Sequence, residues 1–166
     1  MLTARSEIGG GPDGTAATLA LLTAWKNFYG TLPAIRRAAL LIAGSMEDND
    51  QSAQVARLAQ FVKQSLVYQA DPINSEFVQS PDVLLVAIST SPDGVARGDC
   101  DDHVLLFCAL AESLGIACDA AGVRTNGSAT INHVIAVVHL AGGDVDVDLC
   151  AKQGWQPAYP EKLVIA

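Results

Sequence analysis

A chain of 166 residues, half of them hydrophobic, can bury one sizeable core, and a single domain is the default expectation. Its net charge of -8, with no run of basic residues, argues against nucleic-acid phosphate as a partner. No apolar run is long enough to cross a bilayer, so a membrane partner is not expected either.

The opening "MLTARSEIGGGPDG" is polar and glycine-rich and lacks the apolar centre of a secretory signal. Cys100, Cys108, Cys118 and Cys150 all fall in the C-terminal half, unlike the framework of a small disulfide-stapled domain. Reduced thiols in a cytoplasm are expected, with a virion that later leaves the cell as the other setting.

Residues 1–14 read as a flexible arm, and 15–166 as one domain with a helical part (15–70) and a core part (71–166). "GTAATLALLTAWKNFYG" predicts a helix with Thr15 as its N-cap and Gly30 as its stop. "LPAIRRAALLIAGS" predicts a second, with Pro33 in its first turn and Gly44 near its end. "DNDQSAQVARLAQFVKQSLVY" predicts a third. In it Val55, Leu58, Phe61, Val62 and Leu66 share one face, which reads as core rather than as a binding groove. Two prolines in "DPINSEFVQSPD" break the pattern. "VLLVAIS" is apolar and short, and its periodicity does not separate helix from strand. "TSPDGVARG" reads as a loop.

The chain then changes character. "CDDHVLLFCALAESLG" predicts a strongly apolar helix ending at Gly115. "IACDAAGVR", "HVIAVVHL" and "DVDVDL" are strand-like. The last sets Val145, Val147 and Leu149 against Asp144, Asp146 and Asp148 with a period of two. Helices, one central buried helix, then an antiparallel meander make an α+β protein rather than a βαβ array.

Cys100 is the residue with the most chemistry around it. Asp99 is a good N-cap, which makes Cys100 the first helical residue and Asp102 the acid of an approximate capping box. Unpaired backbone N–H groups and the positive helix end favour thiolate there. Gly98 allows a sharp turn and a close approach. Asp99, Asp101 and Asp102 oppose this, because nearby negative charge raises a thiol pKa. A histidine is therefore needed to activate the sulfur.

His103 lies three residues on in the same helix, His133 begins a strand beside the loop "RTNGSATIN", and His139 ends that strand. His133 can border a cleft. Asp148, on the next strand, is the candidate to orient its imidazole. Opposed residues in a hairpin share a midpoint, and for His133 and Asp148 it falls between Leu140 and Ala141, at the start of the turn. For Asp146 it falls inside the strand. A turn centred on Gly142 and Gly143 would misalign the pair and leave a bulge or a diagonal contact to close the gap.

"GDCDDHVLLFCALAESLGI", followed by "INHVIAVV" and "GGDVDVDL", resembles the transglutaminase-like group of the papain-like cysteine proteases. The resemblance covers roughly residues 55–150. It implies a papain-like core in which the Gly-Asp-Cys of a central helix supplies the nucleophile. A histidine at a strand start supplies the base, and an aspartate on the next strand orients it. Those roles fall on Cys100, His133 and Asp148. "VQSPDVLL" and the helical first half are similar to short members encoded by tailed phages and prophages. Val147 and Leu149 depart from the aromatic and the proline that flank the aspartate in many members. No side chain stands out as partner to the Cys100 N–H in an oxyanion hole. Gln79, Tyr68 and Asn132 are candidates, and Asp99, Asp101 and His103 are candidates to line the cleft.

The resemblance implies thiol-dependent acyl transfer without a cofactor, on protein or peptide substrates, among them phage structural proteins. Water as acceptor gives an amidase or protease; an amine gives a cross-linking transamidase. The alternative is a structural or assembly protein, such as a phage particle component, that keeps the fold without the reaction. Zinc on Cys100, His103 and His133 or Asp148 is a weaker option, because no second metal-spaced pair exists. No metal site is expected. His139, Cys108, Cys118 and Cys150 read as structural, Trp25 as packing, and Trp155 as packing or a cover for the site.

Overall fold

A computed structural model of the chain describes residues 3–6, 12–44, 50–72, 76–151, 159 and 161–165. Trp155 lies outside the described residues.

Three helices form the first half: α1 (Pro12–Gly30), α2 (Pro33–Ala43) and α3 (Gln51–Ser65). Pro33 occupies the start of α2, where its missing N–H costs no hydrogen bond. Gly44 follows at φ 82, a conformation that side chains disfavour, and its N–H closes the helix on Leu40 O. Asp50 caps α3 by accepting from Ala53 N at 3.0 Å. Two boundaries differ from expectation. α1 begins at Pro12 rather than at a Thr15 cap. α3 ends at Ser65 because Leu66–Tyr68 turns extended and becomes strand β2, paired in parallel with β4 (Ala96–Gly98).

The arm expected over residues 1–14 contains strand β1 (Thr3–Ser6), antiparallel to β3 (Glu76–Gln79). "VLLVAIS" falls in a helix, α4 (Pro81–Thr90), again opened by a proline. The loop before Cys100 carries β4, whose pairing with β2 holds Gly98 in place.

The central helix α5 (Cys100–Ser113) is buried on all sides from Asp101 to Ala111. α1, α2 and α3 pack against it from one side and strands β5 (Cys118–Val123) and β6 (His133–Leu140) from the other. A helix that is apolar all round needs such a sandwich. The sheet order is β7-β6-β5-β8, all antiparallel, with β7 at Gly143–Val147 and β8 at Lys162–Val164. Strand alternation splits its side chains. Cys118, Ala120, Val134, Ala136 and Val138 join the main core. Ala121, Val123, Ile135 and Val137 form a smaller cluster with Tyr159 on the other face. The protein is an α+β structure, with a helical N-terminal half and a central buried helix packed on an antiparallel sheet. Among the described residues, no helix is long and apolar enough to cross a membrane.

Candidate active site

Asp99 opens α5. Its Oδ1 accepts from the backbone N–H of Asp101 at 3.1 Å and of Asp102 at 3.4 Å. That cap places Cys100 at the first helical position, as the sequence suggested. Glycine at 98 has a steric cause. A Cβ there would lie 2.5 Å from Asp102 Oδ2 and 2.6 Å from Asp102 Cβ. Asp102 fills that space because it ties α5 to β3, accepting from Gln79 N at 2.7 Å and from Gln79 Nε2 at 2.8 Å.

Cys100 is half-buried, and its sulfur faces the backbone N–H of Val134, the residue after His133. The thiol donates to Asp101 Oδ1 at 3.7 Å. Burial pushes the thiol pKa well up, and the Asp101 and Asp99 carboxylates push it further; the Val134 N–H opposes them. This environment favours the thiol form, so reactivity at Cys100 requires a base to take its proton.

His133 Nε2 lies 3.0 Å from Asp148 Oδ1. With Nε2 engaged by the carboxylate, Nδ1 is the nitrogen left for proton transfer. Asp148 is buried and heavily bonded. Its Oδ1 also accepts from Cys150 N and Ala151 N, both at 3.0 Å, and its Oδ2 accepts from the Tyr159 hydroxyl at 2.6 Å. Burial alone would raise this carboxyl. The hydrogen bonds from His133 and Tyr159 outweigh it and hold the pKa down to about 2.

A cleft of about 710 Å³ opens over this pair, lined by Tyr68, Asn132, His133, Asp148, Cys150 and Tyr159 among others. Tyr68 sits close enough for Cys100 and Asp99 to add to the burial that raises its phenol. Asn132 Oδ1 accepts from Thr125 N at 2.8 Å. Gln79 is placed differently: its Nε2 donates to Arg97 O and Asp102 Oδ2, each at 2.8 Å, so both amide hydrogens are committed. His103 is buried, with Nδ1 2.6 Å from Asp99 O and Nε2 3.4 Å from Leu66 O. Burial pushes it down, toward the neutral form. It braces the first turn of α5 against β2.

Asp99, Cys100 and Asp101 offer donor atoms within 4.8 Å of one another, the one such group among the described residues. The zinc set considered from sequence needs a His103 nitrogen, and both face carbonyl oxygens. Asp146, the other candidate on β7, pairs with Lys162 Nζ at 2.5 Å. His139 bridges Asp119 and Asp144 on the surface. Cys108 and Cys118 are buried.

Cys150, read as structural from the sequence, lines the cleft, and burial together with Asp148 pushes its thiol up to about 12. Tyr159 escaped the sequence reading: it lies 11 residues beyond the aspartate it binds, with no periodic pattern to connect them.

No curated protein sequence matches this chain. Among solved structures, the chain is similar to a "putative protease" of Parabacteroides distasonis, at 14% identity and a TM-score of 0.57. The match covers 80% of this chain and 26% of that one, so this chain spans about a quarter of its length. The profile of the Transglutaminase-like superfamily matches residues 41–160, a span that holds Cys100, His133, Asp148 and Tyr159. The chain belongs to the transglutaminase-like superfamily.

Proposed function

We propose that the protein carries out thiol-dependent acyl transfer, with hydrolysis of an amide or peptide bond as the main outcome. The observation that carries this reading is the 3.0 Å contact between His133 and Asp148, with the Cys100 sulfur against the next backbone N–H. The name of the similar bacterial structure points the same way.

In this reading Cys100 Sγ attacks the carbonyl carbon while His133 takes the thiol proton. The carbonyl oxygen gains the negative charge and is met by the Cys100 N–H, a first-turn donor that the helix itself cannot satisfy. Tyr68, which lines the cleft near Cys100, would be a side-chain donor to join it. His133 returns the proton to the departing amine, leaving a thioester. Water then attacks the thioester, His133 takes its proton, and the carboxylic acid leaves as Cys100 regains its hydrogen. An amine in place of water gives transamidation. Protein or peptide substrates fit an open cleft of this size, and phage structural proteins remain one class of them.

A second reading is favoured by one observation. The thiol donates to Asp101 and is pushed well up, as suits a sulfur that no longer reacts. The fold would then serve as a structural or assembly component. A library of fluorogenic peptide amides, run with and without dansylcadaverine as amine acceptor, separates the two. Turnover that Cys100→Ala and His133→Ala each abolish supports acyl transfer, and dansyl incorporation names the acceptor. Turnover that survives Cys100→Ala rejects it.

A further inference from the structure

We propose that Tyr159 is a positioning residue whose hydroxyl fixes the rotation of the Asp148 carboxylate, so that Oδ1 stays on His133 Nε2. The inference rests on the acyl-transfer reading for its importance, though its geometry stands apart from it.

The two oxygens of Asp148 are loaded unequally. His133 Nε2, Cys150 N and Ala151 N all converge on Oδ1 at 3.0 Å. Tyr159 is the donor to Oδ2, at 2.6 Å. A carboxylate turns freely about its last bond unless both oxygens are held. Without the phenol, Oδ2 would sit in a largely buried site with no other donor to it among the described residues, and the group would rotate to share its backbone donors. The imidazole would then lose its fixed acceptor, and with it a single tautomer.

The phenol is suited to this task. Burial and the Asp148 carboxylate push its pKa up, so it stays a donor at every working pH. Its ring joins Ala121, Val123, Ile135 and Val137 on the outer face of the sheet, and it lies 6.5 Å from the His133 ring at a tilt of 53°. Strands β5 and β6 thus seat the phenol, the phenol sets the carboxylate, and the carboxylate sets the histidine.

The test is Tyr159→Phe, which keeps the ring and removes the hydroxyl. Two readouts are taken on the full chain: the ¹⁵N spectrum of His133 near neutral pH, and the iodoacetamide rate at Cys100. In the parent, the neutral form of the imidazole should carry its proton on Nε2 alone. The variant should show mixed tautomers and a Cys100 rate about tenfold lower, at an unchanged circular dichroism spectrum. A spectrum and a rate that superimpose on the parent overturn the inference. His133→Ala, run beside it, separates the two failures. If His133→Ala slows Cys100 and Tyr159→Phe changes nothing, the positioning role is wrong and acyl transfer stands. If Tyr159→Phe scrambles the tautomer while His133→Ala leaves the Cys100 rate untouched, the positioning role stands and acyl transfer fails.

Discussion

His133 and Asp148 touch at 3.0 Å although they are not opposite each other in their hairpin. The ladder runs from Leu140↔Gly143 to Ala136↔Val147, so its continuation would set Asp148 against Ile135. The contact with His133 is therefore diagonal, and it forms where β7 has ended and the chain bends. Diagonal neighbours are within reach of long side chains. A bend also frees the Cys150 and Ala151 N–H groups to turn back onto Asp148 Oδ1.

The acid beside the nucleophile should restrain it. Asp101 accepts the thiol hydrogen and adds its charge to the burial that raises the Cys100 pKa. Asp101→Asn removes that charge, so the thiol should ionise at lower pH. The expected result is an alkylation profile for Cys100 whose midpoint moves down, with a stability loss below about 1 kcal/mol from the weaker helix N-terminus. An unmoved midpoint would show that Asp101 does not govern the sulfur.

Gly98 should resist even a methyl group. Its Cβ would fall 2.5 Å from an Asp102 oxygen that is itself tied to Gln79. Gly98→Ala should cost about 1–3 kcal/mol through overpacking. Urea unfolding checks this, and a variant as stable as the parent would contradict the proposed reason for glycine at this position.

Asp102 should make stability depend on pH. Burial raises its pKa from 3.8 to about 6 despite two bonds from Gln79. The folded state therefore holds its proton more tightly than the unfolded chain. Its contribution is fully present below about pH 4 and is lost as pH rises through about 6. The loss is on the order of 3 kcal/mol. The stability of the parent minus that of Asp102→Asn should fall across this window. A flat difference would mean that Asp102 titrates normally.

Lys26 joins three elements. Its Nζ lies 3.0 Å from Glu112 Oε1 on α5 and 3.1 Å from Asp119 Oδ1 on β5, while the residue is only 6% exposed. Lys26→Met leaves both acids facing each other with no cation between them. The variant should lose about 3 kcal/mol. A thermal midpoint within a degree of the parent would show that solvent screens the cluster.

The sequence made Cys100 legible because a capped helix start is a local pattern, and Asp99 caps it as read. α2 and its two boundary residues were legible for the same reason. Asp148 was reachable only through hairpin register, which local sequence leaves loose; the turn fell at Ala141 and Gly142, and the diagonal contact absorbed the offset. β1, β2, β4 and β8 were not legible. They are three or four residues long, and pairing with distant partners rather than propensity makes them strands. Tyr159 and the engagement of Gln79 were hidden for a related reason: each depends on a tertiary contact across many residues.

The most direct test of the central claim is iodoacetamide labelling of the native protein across pH, read site by site by mass spectrometry, with His133→Ala beside it. The account predicts that Cys100 labels far faster than Cys108, Cys118 and Cys150 near neutral pH, and that His133→Ala removes this preference. A Cys100 that labels no faster than a free thiol, or stays silent until the protein is unfolded, would contradict it.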